Sequence, residues 1–211
     1  MDNQHFLMID CETNALPDWK RPADAEDQPR LAQLAMIMFE PHEDTFRKIS
    51  TFQAFVRPDG WEMEPGATAV NGLTTDLLLE KGKSIAEVLD AYEFQIKMEN
   101  FGGVFAFGAR FDTKIMRGEF RRADRPDLFE ETPNACIMQA LTGICRIPQK
   151  NGRGLKWPSL AEAMAHFNLP FPEQHTAPED VEAAFQLVCK LKELDAVPEP
   201  RIHYAKNRPL E

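Results

Sequence analysis

Two acidic side chains follow an apolar segment near the start of the chain. In the stretch MIDCETN, Asp10 and Glu12 stand two residues apart. Because side chains alternate along a strand, both carboxylates would project from one face while Cys11 points to the other. Two carboxylates held this close repel each other unless a cation lies between them, and Mg²⁺ prefers such oxygen ligands. Taken alone, so short a pattern is more commonly a strand end that reaches water.

A third acid, Asp112, follows the apolar segment GVFAFGARF and opens a predicted helix. Its ordinary explanation is a helix cap, because aspartate is a preferred N-cap and favours the positive end of the helix dipole. Like Asp10 and Glu12, however, it lies just past an apolar strand. It is therefore the third candidate for one acidic cluster.

The stretch HTAPED contains a histidine and two further acids. Pro178 disfavours helical geometry at Ala177 and suits a first helical turn, so a helix should begin near residue 178. This leaves His175 on the incoming loop. Glu179 shares a helical stripe with polar residues and is expected to be solvated. Asp180 shares its stripe with three apolar residues, Ala184, Leu187 and Leu191. An acid beside a buried face needs a partner such as a metal ion, so we predict Asp180 as the functional acid.

Apolar patterning predicts the elements that position these side chains. Residues 5–11 form a strand that is apolar on both faces, with Phe6 and Met8 on one face and Leu7 and Ile9 on the other, as in a covered central strand. Further strands are predicted at 31–40, at 46–56 and within GVFAFG, and helices within SIAEVLDAYEFQIKM, FDTKIMRGEFRR, PSLAEAMAHF and 178–194. The stretches 17–30 and DGWEMEPGATAVNG are predicted as loop and turns. Strands first and helices later predict an α/β domain with a mixed sheet.

Taken together, these segments resemble the DEDDh exonucleases, a DnaQ-like family of the RNase H-like superfamily. MIDCETN resembles the first motif of that family, GARFD the second and HTAPED the third. Gly72, Leu73 and Thr74 stand in the places of its G-I-T signature, and KWPSLAEAMAHF resembles the helix before the third motif. A histidine five residues before the last aspartate, with Thr176 where the sister subfamily has tyrosine, indicates the histidine type. The resemblance covers about residues 5–192 and implies an RNase H-like five-stranded sheet, three antiparallel strands plus parallel additions, flanked by helices.

The resemblance implies a two-metal-dependent 3′–5′ exonuclease that releases nucleoside monophosphates from single-stranded or frayed DNA. In this scheme Asp10 bridges two Mg²⁺ ions, for which Mn²⁺ would substitute. Glu12 and Asp180 hold the ion that binds the attacking water, and Asp112 supports the second ion. His175 takes the proton of that water, because an unperturbed histidine pKa of about 6.5 suits a general base at neutral pH.

Residues beside the motifs are implied as contacts for the terminal nucleotide: Thr13, Asn14, Leu16, Gly72 and Leu73. Core packing is an equally good explanation for Leu16 and Leu73. The chain also departs from the family pattern, with Asn14 and Ala15 where Thr-Gly is common and Phe107 and Gly108 where His-Asn is common. These departures leave the carboxylates intact and concern substrate contacts.

Two basic groups are candidates for guiding phosphates. The glycine-rich loop KNGRGLK carries Lys150, Arg153 and Lys156 without any acid, and Lys156 is our candidate contact. The second group lies at helical spacing after the third acid and consists of Lys114, Arg117 and Arg121. A solvated surface is the commoner explanation for both groups.

Composition narrows the class of protein. The chain has 211 residues, 43% of them hydrophobic, and a formal net charge of −10. That charge counts against a surface that coats duplex nucleic acid by bulk electrostatics. Four scattered cysteines without a CxxC pair argue against a zinc site or a disulfide framework. No apolar run approaches the roughly 18 residues of a membrane span. We therefore expect a cytoplasmic protein with one exonuclease domain at 1–195 and a flexible C-terminal tail at 196–211.

Other functions stay open at this point. The first is a 3′–5′ exoribonuclease, although the sequence contains no RNA-binding module and DNA is the favoured partner. The second is a catalytically silent interaction module with a nuclease fold. The complete five-residue set favours the enzyme, since a silent module is expected to lose at least one member. A role in DNA repair and docking to a polymerase or another replication protein suit this class.

Overall fold

The computed structural model describes residues 4–171 and 176–204. Within these ranges the strands are β1 (His5–Thr13), β2 (Leu31–His42), β3 (Thr45–Phe55), β4 (Phe101–Ala106) and β5 (Asn134–Cys136). The α-helices are α1 (Pro65–Asn71), α2 (Thr75–Lys81), α3 (Ile85–Ile96), α4 (Ala109–Arg122), α5 (Ile137–Cys145), α6 (Leu160–His166) and α7 (Ala177–Glu193). A short 3-10 helix, Leu128–Glu130, precedes β5.

The strands form one mixed sheet in the order β3-β2-β1-β4-β5. The first three strands pair antiparallel, and β4 and β5 are added in parallel. The predicted fold class is therefore confirmed. Both neighbours of β1 are paired strands, so β1 is the central strand that its two apolar faces predict.

Helices cover both faces of the sheet and make β1 the boundary between two cores. Phe6 and Met8 pack in the cluster formed with α5, α6 and α7. Leu7 and Ile9 pack in the opposite cluster, formed with α3 and α4. Each fully buried side chain of this kind contributes about 1.5–3 kcal/mol relative to an exposed one. The end of β1 is thus fixed from both sides of the sheet.

The stretch predicted as turns contains a helix, α1. Pro65 occupies its first turn, and Gly72 ends it with a left-handed φ of 71°. Both residues are typical of helix ends as well as of turns, and α1 has only seven residues, so its pattern is easily missed. The helices α2 and α5 are also absent from the prediction.

The segment after α7 packs on the domain as far as residue 204. Arg201 and Asn134 exchange two backbone hydrogen bonds, of 2.8 and 3.0 Å. The hydroxyl groups of Tyr204 and Thr113 lie 2.9 Å apart. Arg201 and Tyr204 therefore contact the domain, and the boundary between the domain and a C-terminal tail at residue 195 stays a prediction. In the part of the chain that the structure describes, no helix is both long and apolar enough to cross a membrane.

Candidate active site

Three carboxylates meet where β1 leaves the sheet. Asp10 and Glu12 lie on β1 opposite Ala35 and Gln33 of β2, and Asp180 lies in the first turn of α7. One carboxylate oxygen from each of the three acids lies within 4.8 Å of the others. The side-chain alternation of β1 and the docking of α7 on the sheet bring them together.

The neighbouring acid of α7 has a different environment. Glu179 is exposed, and its carboxylate accepts a hydrogen bond of 2.9 Å from the hydroxyl of Thr176. α7 begins at Ala177, one residue before the predicted start. The structure therefore places Asp180 in the cluster and Glu179 on the solvent side, as helical spacing predicts.

Asp112 approaches the same strand end from the opposite face of the sheet. It lies in the first turn of α4 and is only 3% exposed. Its Oδ1 accepts a hydrogen bond of 3.0 Å from the backbone N–H of Cys11, the residue between Asp10 and Glu12. Asp112 is thus attached to the strand segment that carries the other two acids.

Burial and mutual repulsion both disfavour the ionised forms of these carboxylates. Burial raises the pKa of Asp10 well above its usual range, and the charges of Asp112, Asp180 and Glu12 raise it further. Burial also raises the pKa of Asp112, from 3.8 to about 7, although the hydrogen bond from Cys11 opposes that rise. A divalent cation would relieve both effects, since a nearby positive charge favours ionised carboxylates.

The donor set fits a hard metal ion. All the converging ligand atoms are carboxylate oxygens, which are the ligands of Mg²⁺ and Mn²⁺. Asp10, Glu12 and Asp180 are the residues that would hold such an ion directly, with Asp112 behind them. His175 lies outside the described residues, so its role as general base stays a prediction.

A cavity of about 510 Å³ opens beside the carboxylates. Its walls include Glu12, Thr13, Leu16, Val70 and Phe111. Leu16 is 89% exposed, so core packing does not account for it. The cavity is large enough for a nucleotide and combines an acidic end with apolar walls.

Asn14, Gly72 and Leu73, which are also predicted as nucleotide contacts, are not among the residues that line this cavity. Leu73 is 4% exposed and packs with Leu78 and Ala32. This packing favours a role for Leu73 in the core over contact with a nucleotide. Gly72 supplies the left-handed residue that ends α1. The side-chain oxygen Oδ1 of Asn14 accepts a hydrogen bond of 2.7 Å from the backbone N–H of Arg30. Their role as nucleotide contacts stays a prediction.

Asn71 is a site residue that the sequence analysis did not identify. Its Nδ2 donates to the carboxylate of Glu12 and to the carbonyl of Thr13, both at 3.2 Å. Its Oδ1 accepts from the N–H of Leu73 at 3.0 Å. Asn71 thus orients Glu12 from α1. Recognising it in advance would have required a prediction of α1, because only the helix brings this residue to β1.

The loop between β1 and β2 is held in place by α4. Glu119, 1% exposed, accepts from Arg30 Nε at 2.8 Å and from the N–H of Leu31 at 3.0 Å. Arg122 donates to the carbonyls of Ala23 and Ala25, each at 3.2 Å. The helix that carries Asp112 therefore also fixes the loop that reaches the cavity.

The basic residues of α4 are occupied by structural contacts. Arg117 and Arg121 both donate to Oδ2 of Asp127, each at 2.8 Å. Lys114 donates to the carbonyl of Arg21 at 2.7 Å. These contacts favour the structural explanation for this group over phosphate guidance.

The model of the RNase_T family, described as exonuclease, matches residues 7–188. No curated protein matches the chain. Ninety-three solved chains are similar in structure.

Three of these structures show how the sequence identity and the share of the matched chain vary. Exonuclease I of E. coli in complex with a dT13 oligonucleotide has a TM-score of 0.73 and 19% identity, with 90% of this chain and 41% of that chain covered. Exonuclease I of Methylocaldum szegediense has a TM-score of 0.70 and 20% identity, with 90% and 40% covered. A 3′-exonuclease in a structure of 3′-end-specific recognition of a histone mRNA stem-loop has a TM-score of 0.73 and 14% identity, with 100% and 95% covered. The chain thus spans about two fifths of the length of exonuclease I, and at these identities the likeness is one of fold.

Proposed function

The chain belongs to the RNase_T exonuclease family, and from that premise we propose that it is a metal-dependent 3′–5′ exonuclease of the DEDDh type. The observation that carries this proposal is the convergence of Asp10, Glu12 and Asp180 within 4.8 Å. Asp112 completes the acidic set from the other face of the sheet. We take single-stranded or frayed DNA ends as the substrate and nucleoside monophosphates as the product.

The reaction is hydrolysis of the last phosphodiester bond. The oxygen of a water molecule bonds to phosphorus, the bond from phosphorus to the 3′ oxygen of the preceding nucleotide breaks, and a nucleoside monophosphate leaves. When bound, two divalent cations would lower the pKa of water and stabilise the charge that develops on the phosphate. The carboxylates of Asp10, Glu12 and Asp180 would hold these cations, Mg²⁺ or Mn²⁺, and Asp112 would support the second one.

The remaining groups of the site accept the proton and position the substrate. His175 takes the proton of the attacking water as general base. Asn71 keeps the Glu12 carboxylate oriented through its hydrogen bond of 3.2 Å. The apolar side chains of Leu16 and Phe111, which line the cavity, receive the terminal base. A cavity with one acidic end and one apolar wall suits a single unpaired nucleotide.

DNA is our first choice of substrate and RNA is the second candidate. The E. coli exonuclease I match was solved with a dT13 oligonucleotide, which supports DNA. The 3′-exonuclease match concerns a histone mRNA stem-loop, which supports RNA. The same proposal includes a cytoplasmic role in trimming DNA ends during repair, with docking to a polymerase or another replication protein.

Matched DNA and RNA oligonucleotides test the proposal. Each carries a 5′ label and is incubated with Mg²⁺, with Mn²⁺ or with EDTA. A ladder that shortens from the 3′ end, requires metal and forms faster on DNA is the expected result. Faster cleavage of RNA would instead establish the second candidate. No cleavage with either metal would favour a silent interaction module.

Neighbouring acids provide the control for the site itself. Asp180→Asn should abolish cleavage, because it removes a member of the cluster. Glu179→Gln changes the adjacent, exposed carboxylate in the same way and should leave cleavage unchanged. Equal activity of the two variants would contradict the assignment of Asp180.

A further inference from the structure

Residues 146–157, which we call the basic hairpin, connect α5 to α6. The N–H of Lys156 donates to the carbonyl of Ile147 at 2.9 Å, and the N–H of Gln149 donates to the carbonyl of Gly154 at 3.0 Å. Gly154 adopts a φ of 82°, which a side chain would disfavour. Backbone hydrogen bonds therefore close this loop into a defined projection.

The basic hairpin is an exception in an acidic chain. Its sequence, RIPQKNGRGLKW, contains four cationic residues and no acid, while the whole chain has a net charge of −10. Lys156 is neutralised by Glu162, with 2.6 Å between Nζ and Oε1. Within residues 4–171 and 176–204, the side chains of Arg146, Lys150 and Arg153 make no ion pair or hydrogen bond. Three of the four cations of the basic hairpin thus have no neutralising partner among the described residues.

An exposed aromatic ring adjoins these cations. Trp157 is 56% exposed and Leu155 is 37% exposed. Cations that contact phosphates and aromatic rings that stack on bases are the two components of single-strand binding surfaces. A loop that is merely solvated has no need of an exposed tryptophan, so the combination favours a nucleic-acid contact.

The basic hairpin is connected to the catalytic edge of the sheet through α5. The N–H of Met138, in the first turn of α5, donates to the carbonyl of Phe107 at 3.0 Å, just before the helix that carries Asp112. The nine residues of α5 form a helix about 13 Å long between that edge and the basic hairpin. At the rise of about 3.4 Å per nucleotide of a strand stacked as in B-DNA, this length corresponds to about four nucleotides.

We propose that the basic hairpin binds the substrate strand about four or more nucleotides from its 3′ end. Lys150 and Arg153 contact phosphates, and Trp157 stacks on a base. Lys156, ion-paired with Glu162, anchors the hairpin to α6. This inference rests on the proposed function and adds to it a second contact with single-stranded nucleic acid.

Salt-dependent binding tests the proposal separately from catalysis. Affinity for 5′-labelled DNA of 4 and 16 nucleotides is measured by fluorescence anisotropy in EDTA, at several salt concentrations. A plot of log affinity against log salt has a negative slope, and each lost phosphate contact makes this slope shallower by about 0.7 for single strands. The double variant Lys150→Ala/Arg153→Ala should therefore make the slope for the 16-mer shallower by about 1.4 and leave the 4-mer unchanged.

Two further variants separate the charge effect from the stacking effect. Lys81→Ala/Lys97→Ala removes the same charge from exposed positions at the ends of α2 and α3, and it should leave both slopes unchanged. Trp157→Ala should weaken 16-mer binding about tenfold without changing the slope. Equal slopes for the wild type and Lys150→Ala/Arg153→Ala would overturn the inference. The expected slopes in a protein that cleaves no oligonucleotide would support the hairpin and refute the proposed function.

Discussion

Replacement of Asp112 by asparagine should stabilise the metal-free protein at pH 8 while it abolishes activity. The folded-state pKa of Asp112, about 7, lies above its ordinary value of 3.8 because the carboxyl is buried. The neutral Asp112 carboxyl is favoured in the folded protein, so its stabilising contribution is fully present below about pH 4. This contribution is lost as the pH rises through 7 and the buried group ionises. About three pH units at about 1.4 kcal/mol each give a loss of about 4 kcal/mol. Asparagine keeps the acceptor for the Cys11 N–H but carries no charge.

Urea unfolding in EDTA measures this effect. The free energy of unfolding of Asp112→Asn should exceed that of the wild type by up to about 4 kcal/mol at pH 8 and by about 1 kcal/mol at pH 4.5. The larger difference corresponds to about 8–16 °C in Tm for a chain of this size. Asp127→Asn is the matched control, because Asp127 is ion-paired with Arg117 and Arg121 and its loss should destabilise the fold. If Asp112→Asn were less stable than the wild type at pH 8, the reasoning would be refuted.

Three more substitutions test other parts of the site. His175→Ala should lower kcat by about 10²–10⁴-fold while calorimetry shows nearly unchanged Mg²⁺ binding; full activity would exclude the base role. Asn71→Ala should lower kcat about tenfold, because Glu12 loses a hydrogen bond worth about 1.4 kcal/mol, and single-turnover cleavage measures it. Glu119→Gln should lower the free energy of unfolding by about 3 kcal/mol, because it breaks a buried ion pair, and urea titration at pH 7 checks this; an unchanged midpoint would contradict the role of Glu119.

The parts of the site that the sequence predicts depend on short-range geometry. Asp10 and Glu12 share a face because side chains alternate along β1. Asp180 points to the sheet because helical spacing aligns it with the buried residues of α7. The apolar faces of β1 predict its central position for the same reason. Each of these inferences uses a period within one element, which the sequence displays directly.

The parts that the sequence does not predict depend on contacts between distant segments. Asn71 reaches Glu12 only because α1 docks beside β1. Tyr204 packs on Thr113 although its segment has the composition of a loose tail. Lys156 forms an ion pair with Glu162 in the first turn of α6, so its charge is neutralised. Such pairings follow from tertiary packing and carry no periodic pattern in the chain.

The placement of Tyr204 has a practical consequence for anyone who labels this protein. Its hydroxyl contacts Thr113 at 2.9 Å, on the helix whose first turn carries Asp112. A fluorophore attached at Tyr204 would therefore lie against the helix that carries Asp112. His5, at the opposite end of the nine-residue strand β1, lies about 17 Å from Asp10 and about 23 Å from Glu12 at about 3.3 Å per residue. Fusion partners and surface immobilisation are better attached on that side.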